Sequence, residues 1–206
     1  MKLLLGAIPT ILLLALAGRA SGVEEAVQAV VLFDGKSLEG WVAEHADGFA
    51  PRDGLLASKA GGGWLRSAKT YKNFEFELEF RTLKEGSDGG VFFRASAESG
   101  PSEPHWPVRG YQLLLSDGEG ALMLFGHGTK PPRFERRTDA LRTASQEPRA
   151  WQKLRVKANA PHVEILLNDV LVTTADDLDP AAGHVGLYDK AGEYEWKNLT
   201  IRVQPD

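Results

Sequence analysis

The chain has 206 residues, no cysteine, and 24 lysines and arginines against 28 aspartates and glutamates, a net charge of −4. A chain of this size can bury enough apolar surface to fold without disulfides, and its acidic balance argues against a nucleic-acid partner. After the first 22 residues no basic amphipathic helix is found, which argues against peripheral membrane binding.

Residues 1–22 carry a basic start at Lys2, an apolar run from Leu3 to Ala17, and small residues ending in Ala20-Ser21-Gly22. That pattern is a secretory signal peptide. Pro9 interrupts the run, which falls short of the roughly 20 apolar residues a span needs. Removing the leader would leave 22 basic against 28 acidic side chains. The expected destination is the periplasm or the cell exterior, and the lack of cysteine is compatible with either.

In Asn73 to Arg81, Phe74, Phe76, Leu78 and Phe80 alternate with charged residues, which puts the apolar side chains on one face of a strand. Further strands are expected over Gly90 to Ala95, Tyr111 to Leu115, Ala121 to Phe125, Leu154 to Ala158, Val163 to Leu167, Val170 to Thr174, His184 to Tyr188, and Leu199 to Val203. Asn168-Asp169 between two of these runs is a hairpin signal, and Asp117-Gly118 is a second turn. The stretch from Gly126 to Ala150 reads as a long surface excursion. It is rich in arginine, at Arg133, Arg136, Arg137, Arg142 and Arg149, and is either a solvated face or a docking site for a protein partner. No helical apolar period is sustained over three turns. The reading is an all-β sandwich or barrel, with one domain over 28–206.

Leu32-Phe33-Asp34-Gly35-Lys36-Ser37-Leu38-Glu39-Gly40-Trp41 resembles the "LFNGKDLSGW" opening of the 3-keto-disaccharide hydrolase domain family. The similarity continues in order through Gly63-Trp64-Leu65, Tyr71 to Phe76, Gly89 to Arg94, Gly110 to Leu115, Trp151 to Leu154, Leu167 to Val170, His184 to Leu187 and Lys197 to Ile201. The resemblance implies a concanavalin A-like jelly-roll sandwich of two antiparallel sheets, with a sugar site on its concave face. It also implies cleavage of glycosides already oxidised to a ketone at C3. That ketone acidifies the C2 proton, so a base can form an enolate, the group on C1 leaves by elimination, and water then adds. Such a site needs one base and donors or a cation for the oxyanion. A lectin-like module that binds carbohydrate without turnover is the alternative on the same fold.

Strand parity places Gln112, Leu114 and Ser116 on the face opposite Tyr111, Leu113 and Leu115. Where the family carries a glutamate this chain has Gln112, which can bind but cannot take a proton. At Leu187-Tyr188-Asp189-Lys190 the family often reads "LQDHG", so Lys190 stands where the family has histidine. Asp189 is a candidate base or metal ligand, or it closes the turn after a strand. Arg94 matches the family's arginine and could stabilise an enolate or pair at a sheet rim. His105 and His127 are the other candidate bases. Trp106, Gln112, Tyr188 and Lys190 are candidates for substrate binding, with Trp106 equally readable as a packing anchor. Trp41, Trp64, Trp151 and Trp196 read as core or sheet edge. The sequence requires no cofactor and contains no dedicated metal spacing, although scattered carboxylates could hold a divalent ion.

Overall fold

The computed structural model describes residues 28–45, 47–59, 61, 63–99, 106–116 and 121–205. The expected leader and the Asp117-Gly118 turn lie outside them. Fifteen strands and one short helix are described, and the strands form two antiparallel sheets.

The nine-stranded back sheet contains β1 (Val30–Val31), β3 (Ala50–Arg52), β4 (Leu55–Lys59), β6 (Phe74–Thr82), β10 (Arg133–Arg136), β11 (Gln152–Asn159), β12 (His162–Leu167), β13 (Val170–Asp176) and β15 (Glu193–Val203). Its order is β10-β13-β12-β11-β6-β15-β4-β3, with β1 also paired to β15. The six-stranded front sheet contains β2 (Trp41–Glu44), β5 (Trp64–Ser67), β7 (Asp88–Ala95), β8 (Gly110–Leu115), β9 (Leu124–His127) and β14 (His184–Ala191), in the order β2-β5-β14-β7-β8-β9.

Strand β6 shows why the back sheet forms. Its residues alternate buried and half-buried, and Phe74, Phe76, Leu78 and Phe80 point between the sheets. Each such ring or branched chain removed from water contributes roughly 2 kcal/mol. The inner face of the front sheet supplies Leu65, Val91, Phe93, Tyr111, Leu113, Val185 and Leu187 to the same core. The β12–β13 hairpin turns at Asn168 and Asp169, both at positive φ, as the sequence pair leads one to expect.

Three segments differ from the sequence reading. The strand expected over Ala121 to Phe125 begins only at Leu124 and runs to His127, because Leu122 adopts a left-handed turn conformation at φ 58°. The last strand starts earlier than expected, at Glu193, with a register irregularity between Lys197 and Thr200. The arginine-rich excursion is ordered: β10 pairs with β13, and helix α1 (Thr138–Ala144) buries Leu141 and Ala144.

Candidate functional site

Cross-strand register assembles two neighbouring rows on the outer face of the front sheet. One row runs Arg66, Gly186, Phe92, Gln112, Phe125; the other runs Trp64, Tyr188, Gly90, Leu114. Trp64, Phe92, Ala95 and Tyr188 form an aromatic cluster separate from the core, with Trp106 and Leu114 packed on it. Phe92 is its centre, with ring centroids 5.1 Å from Trp64, 5.0 Å from Tyr188, 5.6 Å from Trp106 and 5.7 Å from His127.

Glycine makes room for these rings. A Cβ on Gly186 would lie 2.6 Å from Cε3 of Trp64 and 2.7 Å from the Leu65 carbonyl oxygen, and one on Gly90 would lie 2.9 Å from Cε1 of Tyr188. Only a residue without a side chain lets both rings lie this close to the sheet.

His127 Nε2 is 2.7 Å from Gln112 Oε1. With the amide in this orientation Nε2 carries the hydrogen and donates it, so the Nδ1 atom holds the lone pair. Gln112 is therefore the group that sets the tautomer of a histidine on this face. On the same cluster Trp64 Nε1 is buried with no hydrogen-bond partner among the described residues, and the buried Tyr188 Oη has Gln112 as its polar neighbour. Burial pushes the Tyr188 hydroxyl well above its usual range, with the Gln112 side chain opposing that shift, so the hydroxyl stays protonated. Phe125, 44% exposed, leaves an apolar ring open to solvent beside Gln112.

Of the residues proposed from sequence, His127, Gln112, Trp106 and Tyr188 come together here. Asp189 does not. It shares a row with Gly89 and Leu115, which puts it on the inner face, where Ser58 Oγ donates to its Oδ2 at 2.7 Å. Burial, with smaller contributions from Asp88 and Glu193, pushes its carboxyl above the usual carboxylate range.

Arg94 also turns away. It sits at a strand irregularity with φ 49°, so its neighbour Ala95 packs on the outer cluster while the guanidinium turns to the end of the sandwich. There Nε and Nη1 donate to the carbonyl oxygens of Lys72 and Asp179, each at 3.0 Å. Burial lowers the Arg94 pKa, and the nearby Tyr111 and Asp179 oppose that. This guanidinium stitches two loops together and is not aimed at the aromatic face. Lys190 is exposed at the rim, 3.3 Å from Asp88. His105 lies outside the described residues. Among the described residues no three histidine or carboxylate side chains gather to hold a metal ion.

Sequence reasoning missed Trp64, Phe92 and Phe125. The signal was parity: in Gly90-Val91-Phe92-Phe93 and Leu124-Phe125-Gly126-His127 the outward positions fall on Phe92, Phe125 and His127 once Val91, Phe93 and Leu124 are taken as core.

Two antiparallel sheets packed in this way form a concanavalin A-like jelly-roll sandwich. Within that class the chain belongs to the 3-keto-alpha-glucoside-1,2-lyase-like domain family, which matches residues 28–202. The fold is similar to two crystal structures of candidate glycosyl hydrolases from Parabacteroides distasonis. One is 16% identical with TM-score 0.64, covering 86% of this chain and 94% of that one; the other is 20% identical with TM-score 0.63, covering 86% and 100%. It is also similar to the carbohydrate binding module CBM66 from Bacillus subtilis, at 15% identity and TM-score 0.57 over 79% of this chain and 95% of that one. No curated protein matches the sequence.

Proposed function

We propose that this chain cleaves 3-keto-glucosides by elimination on the outer face of the front sheet, with His127 as the base. The observation that carries this reading is the His127–Gln112 pair set against the aromatic cluster. His127 Nδ1 takes the proton from C2, and the C2–H electron pair forms the enolate with its charge on the C3 oxygen. Trp64 Nε1–H and Tyr188 Oη–H, both buried on the cluster, stabilise that oxyanion. The enolate then collapses to the ketone as C1=C2 forms. The bond from C1 to the leaving oxygen breaks, and that oxygen takes a proton from the His127 imidazolium. Water added across C1=C2 completes hydrolysis. Trp106 packs on the cluster and supplies a further ring beside the proposed sugar site. The leader expected over residues 1–22 supports a site of action outside the cytoplasm.

Aglycone release from a 3-keto-glucoside by the purified protein, corrected for spontaneous elimination, tests the proposal. His127→Ala should lower release by roughly a hundredfold or more, and Tyr188→Phe by about tenfold to a hundredfold. Release unchanged in His127→Ala would remove the base from the mechanism. The exposed Phe125 ring, together with likeness to a carbohydrate binding module, favours a second reading, sugar binding without turnover. Saturable sugar binding with no release at all by the unmodified protein would establish it.

A further inference from the structure

The arginine-rich excursion closes a cavity of about 670 Å³ at the far end of β8, within the size range of small-molecule sites. Its floor is apolar, with Phe80, Leu115, Leu141 and Leu167, and its walls carry Arg136, Arg142 and Arg149 against, among the described residues, the single carboxylate of Glu147. Arg142 pairs with Asp139, while Arg136 and Arg149 have no carboxylate partner among the described residues.

Arg136 is the informative group. Its Nε is buried and makes no hydrogen bond, and its Nη1 reaches only the thioether sulfur of Met123 at 4.0 Å. A buried guanidinium donor left without an acceptor is costly, and a thioether cannot neutralise the charge. Arg136 lines the adjoining cavity, where an anion would neutralise the guanidinium charge. Arg149 stands at the lip in a left-handed backbone conformation, φ 67°.

We propose that this cavity is a second binding site, for a sugar that carries an anionic group. Ser116, Pro148 and Arg149 also border a neighbouring hollow of about 810 Å³ that reaches Leu114, so the cavity adjoins the edge of the aromatic cluster. Gln112 and Ser116 are separated by about 13 Å along the chain at ~3.3 Å per residue. The choice of sugar rests on the carbohydrate-active fold and not on the elimination step.

Calorimetric titration of the purified protein at low ionic strength, with glucuronate, glucose 6-phosphate and glucose, tests the site. At least one of the two anionic sugars should bind saturably under conditions where glucose does not, and the pair distinguishes carboxylate from phosphate recognition. Arg136→Gln should weaken that binding about tenfold or more. Arg149→Gln alters an exposed side chain, so it probes the same site if the Arg136 variant fails to fold. His127→Ala should leave anionic-sugar affinity unchanged, which separates this site from the catalytic proposal. Glucose binding as tightly as both anions, no binding of either anion, or anion affinity untouched in both arginine variants would overturn the proposal.

Discussion

On the outer face of the back sheet, Glu75, Glu77 and Glu79 of β6 pair with Arg202, Arg155 and Lys197 of neighbouring strands, and Trp151 lies beneath the cations of Arg81 and Lys197. On the outer face of the front sheet the same alternation presents Trp64, Phe92, Tyr188 and Phe125, a histidine held by a glutamine, and a Trp64 Nε1–H without an acceptor among the described residues. The first surface is satisfied by its own ion pairs. The second leaves an apolar ring, Phe125, open to solvent beside Gln112.

The sharpest way to break this contrast is Gly186→Val. Its Cβ would meet the Trp64 ring and the Leu65 carbonyl at under 3 Å, and overpacking at that point should cost about 2–3 kcal/mol in denaturant unfolding. Wild-type stability in that variant would mean the Trp64 ring is not held against the sheet.

Phe125→Ala should separate binding from folding. Loss of an exposed ring should leave stability within about 0.5 kcal/mol, while sugar affinity measured by calorimetry should fall by an amount worth about 1 kcal/mol. Unchanged affinity would remove Phe125 from the site.

Asp189 sharpens the comparison from inside the sandwich. Its pKa is raised on folding, so the stability it contributes is fully present below its unfolded pKa and is lost as pH rises through the folded value. Asp189→Asn should therefore match the parent protein near pH 4 and exceed it at pH 8 by on the order of 1 kcal/mol. Aglycone release should survive the change. Parallel stability curves across that range would show that the carboxyl is not titrating as its burial implies.

The smallest effect is expected on the charged face. Arg155 makes 2.8 and 3.0 Å contacts with Glu77 and Asp169, yet Arg155→Gln should cost less than about 1 kcal/mol, and less still at high salt. A salt-independent loss of several kcal/mol would show that this surface does more than stay solvated.

Much of the sandwich was legible in local pattern. Phe74 to Phe80 declared a half-buried strand, Asn168-Asp169 declared a hairpin, and parity along β8 separated Gln112 from Tyr111. The site was legible only in part. Asp189 sits in a motif that attracts a catalytic reading, but it falls on the same side of β14 as Val185 and Leu187, which are core. Arg94 sits in a left-handed conformation within its strand, so its side chain leaves the direction strand parity would assign, and nothing local marks it.

By itself the sequence determined the strand alternation, the turn chemistry and the family, because each depends on side chains near one another along the chain. Only the tertiary structure decided which face would be left open and which residues would meet on it. Trp64, Phe92, Gln112, His127 and Tyr188 come from five different strands. Their convergence depends on strand order and register, which are set by how two whole sheets bury their inner faces against each other.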